Sequence, residues 1–202
     1  MTVDDLAPPR YELLREMTHL QLGEFVLEYF FRRLSWVIWM HHAISVATLG
    51  AIVAVALTQQ RSFFRCAGDF FLALLTLFVV ILPLHELLHA AAYRLVGARD
   101  VRWEWSGRMM AVWVIAHRFV VGTRAFLIVA LAPFAVLNAT LLAHAIVFPQ
   151  VAVYLLFVLL WHVHGSAGDW SLLNFVWIHR ARGFWTYDDA DSGKSYFFGR
   201  AA

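Results

Sequence analysis

The sequence has a single cysteine, Cys66. An internal disulfide and any multi-cysteine metal site are therefore excluded. Charge is scarce as well. Asp, Glu, Lys and Arg make up 15% of the 202 residues, where roughly 25% is usual for a soluble domain. Fourteen acids and sixteen bases cannot clothe a water-facing surface around a chain that is 61% hydrophobic. An ordinary soluble domain is excluded on that ground. Intrinsic disorder is excluded too, because it needs low hydrophobicity. A net charge of +2 is too small to point to nucleic acid as a partner. There are no internal repeats and no low-complexity tracts.

What the chain does have is long runs without charge. Residues 34–60, 70–85 and 125–168 contain no Asp, Glu, Lys or Arg. About 20 apolar residues cross the ~30 Å hydrocarbon core of a bilayer as a helix. The first run predicts a span over 35–57, and the second, with its apolar continuation, a span over 69–96. The third is long enough for two, 125–147 and 151–178, with Phe148-Pro149-Gln150 as the turn between them. With four spans, fourteen of the sixteen basic residues fall on one side and only Arg61 and Arg65 on the other. The positive-inside rule then puts both termini in the cytosol. Residues 1–34 read as a cytosolic or interfacial helical segment. Its acids Asp4, Asp5, Glu12 and Glu16 argue against a cleavable signal. Between spans two and three, Val101-Arg102-Trp103-Glu104-Trp105 alternates with period two, and Ser106-Gly107-Arg108 is a turn signal. A β-hairpin within 101–121 follows, and residues 179–202 read as a poorly ordered cytosolic tail. The expected fold is an all-α integral membrane protein: four transmembrane helices spanning 35–178, with a small cytosolic-side β-hairpin between helices 2 and 3.

The chemistry is concentrated in span two, at His85-Glu86-Leu87-Leu88-His89. Residues four apart share one face of a helix, so both imidazoles can reach one ion. Neutral imidazole is a good zinc ligand, and Glu86, one step round, can take a proton from an attacking water. An ionisable group inside hydrocarbon is costly unless paired, so three of them in five residues want a common explanation. A bound Zn2+ supplies one. Catalytic zinc sites hold three protein ligands. The only other acid within a span is Asp169. At 1.5 Å per residue, His85 and Asp169 lie about 24 Å and 28 Å from the outer face, level within about one turn. His85, His89 and Asp169 are therefore the expected ligands, with Glu86 as catalytic base. His162 and His164 stay open as replacements for Asp169, as residues that orient a ligand, or as substrate or oxyanion contacts. Asn138 is a further candidate substrate contact. Gly165 and Gly168 would let span four approach span two closely or unwind beside it. Pro83 frees the Val79 carbonyl beside the motif. His41 and His42 have no evident role.

Small residues follow the HExxH motif (Ala90, Ala91, Ala92), then Gly97, the β segment, Ala132-Pro133 and the late Gly168-Asp169. In these features, over roughly residues 69–178, the chain resembles the putative zincin peptidase family of membrane proteins, which is distantly similar to the site-2 intramembrane proteases. The resemblance implies zinc, with His85, Glu86 and His89 on the motif positions. In site-2 proteases the third ligand is an Asp in a late transmembrane helix followed by Gly; here Trp170 follows Asp169. It also implies that the β segment could pair with an unwound substrate. The expected function is a zinc-dependent membrane metalloprotease that cleaves a membrane-associated protein near the cytosolic interface. The alternative is a non-catalytic zinc-binding scaffold or chaperone. A small transporter is disfavoured, because one acidic cluster at one edge gives no midplane site.

Overall fold

A computed structural model of the chain describes residues 1–107 and 111–201. Strand β1 (Tyr11–Thr18) is followed by a short helix, α1 (Leu22–Val26), which widens into a π turn at Leu27–Arg32. Helix α2 (Trp36–Thr58) starts at Ser35, whose Oγ accepts the Val37 N–H at 3.1 Å. That cap satisfies one of the orphan donors of a helix start. Helices α3 (Phe63–Thr76) and α4 (Leu82–Leu95) form one rod through a π turn at Leu77–Ile81. The cause lies in Pro83. Without an N–H it leaves the Val79 carbonyl unmatched, and the helix widens just before it. The hairpin of β2 (Val101–Ser106) and β3 (Ala111–Ala116) comes next. The two-residue strand β4 (Val121–Gly122) leads into α5 (Thr123–Val147). Helices α6 (Ala152–Gly165) and α7 (Ala167–Ile178) follow, and strands β5 (Trp185–Asp189) and β6 (Lys194–Arg200) close the chain.

Among the described residues three helices are long and apolar enough to cross a membrane: Trp36–Thr58, Phe63–Leu95 and Thr123–Val147. A fourth is possible only if Pro149–Gly165 and Ala167–Ile178, bent by 48°, count as one. The fourth span expected over 151–178 is a bent helix pair. The break falls at Ser166, whose Oγ turns back to the His162 carbonyl at 2.9 Å. On the near side of the break, a Cβ on Gly165 would stand 3.7 Å from both Leu77 and Leu82, an ordinary contact, so α6 lies against the π turn without needing the bare glycine.

The all-α expectation is overturned. Besides the helices, the described residues form two sheets, a β2–β3 pair and a four-stranded antiparallel sheet in the order β1-β6-β5-β4. The β structure is thus not confined to one hairpin between helices 2 and 3, and the 101–121 segment itself divides. Strands β2 and β3 pair with each other, while β4 joins the other sheet. Arg108, the last residue of the expected turn, and Met109, where the next strand was expected to begin, lie outside the described residues. Residues 11–18, read as helix, are a strand, and the tail read as poorly ordered supplies two more. Tyr11 pairs opposite Arg200 and Thr18 opposite Lys194. Such pairing between the two ends of the chain leaves no mark in local periodicity, and tertiary context overrides local preference.

This sheet braces the helix that carries Asp169. Phe25 from α1, Phe175 from α7, Phe184 and Phe197 from β6 are all buried in one aromatic cluster. Asn174 of α7 is fully buried beside it. Its Nδ2 donates to the carbonyls of Tyr29 and Arg33, each at 2.6 Å, and its Oδ1 accepts from Ser35 Oγ at 2.6 Å. Outside the helical bundle, Arg15 hydrogen-bonds Glu28 at 2.6 Å and holds that carboxyl below its ordinary pKa. The hairpin is tied to the same sheet by His19–Glu104 at 2.6 Å, Arg102–Asp191 at 2.9 Å and a bridge between His117 and Asp188.

Replacing Asn174 by Leu keeps the branched shape of the side chain but strands two backbone carbonyls. At roughly 1–3 kcal/mol per buried unsatisfied group, Asn174→Leu should lower the unfolding free energy by about 2–6 kcal/mol. A thermal melt of the detergent-solubilised chain measures it, and an unchanged melting temperature would show that the clamp does not hold α7.

Candidate metal centre

Helix α4 places His85 and His89 one turn apart on its inward face, and both are buried. Asp169 stands in the first turn of α7, just past the bend, where a helix start favours negative charge. His85 Nε2 lies 3.0 Å from Asp169 Oδ2, His89 Nε2 lies 3.3 Å from Asp169 Oδ1, and the two Nε2 atoms are 3.0 Å apart. The structure therefore brings together His85, His89 and Asp169, with their ligand atoms within 4.8 Å of one another.

The second nitrogen of each ring decides what the cluster can hold. His89 Nδ1 faces the Val129 carbonyl at 3.0 Å. A carbonyl only accepts, so Nδ1 carries the proton and Nε2 offers a lone pair. His85 Nδ1 faces His162 Nε2 at 2.9 Å, and His162 Nδ1 faces Asn138 Oδ1 at 2.7 Å. If each donates toward the amide oxygen, His85 Nε2 is also a lone pair. Two lone pairs and a carboxylate then point into one small volume. Asp169 Oδ2 is buried there with no hydrogen bond among the described residues. A single proton could relieve one of these contacts but not all three. A tetrahedral zinc with bonds of about 2.0–2.1 Å sets its donor atoms roughly 3.3 Å apart, close to the spacings found. The residues fit a zinc ion.

Glu86 sits one position round the helix, half-buried, and its Oε2 accepts the Val114 N–H of β3 at 3.0 Å. Its Oε1 makes no hydrogen bond among the described residues. Three sequence-predicted contacts fall elsewhere. His162 is fully buried behind His85, on the side away from the shared volume, and Asn138 stands behind His162. Neither faces the place a substrate would occupy. His164 is exposed, bonds back to the Leu160 carbonyl at 2.8 Å and packs near His41. His41, given no role from sequence, is buried with Nε2 on the Val163 carbonyl at 3.1 Å. The Val129 carbonyl and Val114 N–H were missed, and main-chain groups of apolar residues carry no sequence signal that would have revealed them.

A family model described as putative zincin peptidase matches residues 77–182, just over half of the chain. The chain belongs to that family. The matched stretch holds all three members of the cluster and Glu86. No curated protein and no solved structure matches the chain. The zincin family implies zinc, in keeping with the donor set.

A second group, His117, Asp189 and Asp191, also brings three donors within 4.8 Å. It is a weaker candidate. His117 Nδ1 accepts the Ala190 N–H at 3.1 Å, so its proton sits on Nε2, facing Asp191 at 3.6 Å. Asp191 is mostly exposed and already paired with Arg102.

Each of His85→Ala, His89→Ala and Asp169→Ala should bring the zinc content of the purified chain from near one per molecule to near zero after dialysis against a weak chelator. Asp189→Ala should leave it unchanged. Elemental analysis by mass spectrometry checks both, and retention of zinc in the first three would remove the cluster as the metal site.

Proposed function

We propose that the chain is a zinc-dependent peptidase embedded in a membrane, cutting a peptide bond of a membrane-associated protein near the cytosolic interface. One observation carries this reading: two imidazole nitrogens and a carboxylate converge in a buried volume, with a glutamate next along the helix. The apolar helices support the membrane setting. Leu49, Val53, Leu57, Phe78 and Val79 point outward and are exposed, a surface suited to hydrocarbon rather than water. The basic residues support the sidedness, with both termini cytosolic.

A zinc ion held by His85, His89 and Asp169 would supply Lewis-acid polarisation of the scissile carbonyl and a lowered pKa for the attacking water. Glu86 takes the proton of that water through Oε1 and delivers it to the departing amine. The Val114 N–H holds Oε2, which orients the carboxylate during the transfer. The substrate must be extended, because a helix hides its carbonyls in internal hydrogen bonds. Strand β2 has no partner on its outer edge among the described residues, and a substrate segment could add there as a further strand. The rival reading, a zinc-holding scaffold or chaperone, gives Glu86 no task beyond its bond to Val114.

Glu86→Gln separates the two. The amide keeps the size and the contact to Val114 but cannot take a proton. Zinc content should stay within about 2-fold of wild type, while cleavage falls by roughly 10²–10⁴. Peptide termini are mapped in membrane proteins from cells expressing wild type or Glu86→Gln. Termini present with wild type and lost with the variant support proteolysis, and identical termini overturn it.

A further inference from the structure

Behind the metal cluster runs a chain of buried polar groups that an apolar bundle has no packing reason to contain. His162, on α6, is fully buried, with Leu159 and Val163 around it in the helix. Its Nε2 lies 2.9 Å from His85 Nδ1, and its Nδ1 lies 2.7 Å from Asn138 Oδ1 on α5. Both nitrogens are thus used, one toward the cluster and one away from it. Phe134 lies near its ring at a centroid distance of 6.2 Å and an interplanar angle of 26°.

Only one proton arrangement is compatible with a metal at His85. That ring must keep Nε2 free, so Nδ1–H donates. His162 Nε2 then accepts, its Nδ1–H donates in turn, and Asn138 must present its oxygen. Asn138 does so, and its Nδ2 is left buried without a partner. An amide turned the other way would donate to His162 Nδ1, put a proton on Nε2 and reverse the relay. His85 would then carry its proton on Nε2, where the metal must go. An outer partner of this kind orients a metal-ligating imidazole and raises its basicity. His89 receives the same service from a main-chain carbonyl, which cannot be reversed. His85 receives it from two side chains, which a substitution can remove.

We infer that His162, oriented by Asn138, is a positioning residue for the metal centre: it holds His85 in the tautomer and rotamer that bind the ion. The inference rests on the proposed zinc reading and goes beyond it in assigning work to residues that touch neither metal nor substrate.

The test is metal affinity of the full-length chain in detergent, with zinc measured by chelator competition and Co2+ by its visible absorption. Three variants are compared, His162→Phe, His162→Gln and Asn138→Leu. Phe keeps the ring volume and its apolar packing but removes both nitrogens. Gln places an amide oxygen where Nε2 accepts from His85. The relay predicts that His162→Phe weakens zinc binding by roughly 10–100-fold. It predicts that His162→Gln recovers to within about 5-fold, with the wild-type Co2+ spectrum restored. A packing role predicts the opposite order, with Phe the better replacement. Phe equal to or better than Gln, or both equal to wild type, overturns the inference while leaving the zinc site standing. If His162→Phe does not fold, Asn138→Leu carries the test, since both rings remain. Its affinity should fall about 10-fold, and an unchanged value overturns the relay. A wild-type chain that takes up neither metal overturns the zinc reading, and this inference falls with it.

Discussion

Everything near the site follows from placing three acceptors together where water is scarce. His85 Nε2, His89 Nε2 and the Asp169 carboxylate stand 3.0–3.3 Å apart. In a medium of low dielectric, such an arrangement is repulsive unless positive charge sits among them. The surroundings do not relieve it. The Val129 carbonyl and the His162–Asn138 pair consume the donors of both rings on the far side. The chain thus holds two imidazole nitrogens and a carboxylate at spacings that a zinc ion fits.

Holding that arrangement takes structure from far along the chain. The two histidines are easily aligned, since one helix carries both. The carboxylate is harder. It arrives on α7 only because the helix pair breaks at Ser166 and turns by 48°. A short helix after a bend is free to swing unless something braces it. The brace is the aromatic cluster of Phe25, Phe175, Phe184 and Phe197 together with the Asn174 clamp. Both ends of the chain meet in the sheet that supplies it. The terminal sheet is thereby part of the apparatus that places Asp169, although it lies outside the helical bundle.

This division explains what could be read from sequence. Helical spacing alone places His85 and His89 on one face, and a lone acid in a charge-free stretch singles out Asp169. Both signals are local or compositional. The strand at Tyr11–Thr18 was read as helix because its partner is Lys194–Arg200, at the opposite end of the chain. The aromatic run from Trp185 to Phe198 was read as loose tail for the same reason. His162 and Asn138 were picked out as polar groups in apolar spans, but the direction each faces depends on the rotation of α5 and α6 against α4. That rotation is set by packing of the whole bundle. Main-chain partners such as Val129 O and Val114 N–H have no side-chain identity to read.

The hairpin adds a last constraint. The Val114 N–H reaches across to Glu86, so the edge of β3 facing α4 is closed at that position by the carboxylate itself. An incoming strand on that edge would have to displace Glu86 from its only hydrogen bond among the described residues. On the proposed reading, that would disorient the base as the substrate arrives. The outer edge of β2 carries no such conflict. A substrate adding there leaves Val114 and Glu86 joined, but with β2 and β3 between it and α4 it lies three strand spacings, about 14 Å, from a strand on the β3 edge. On the proposed reading, the two-stranded width of the hairpin would set the reach a scissile bond needs from that edge to the cluster. The ties from His19, Arg102 and His117 to the terminal sheet hold the hairpin at that distance.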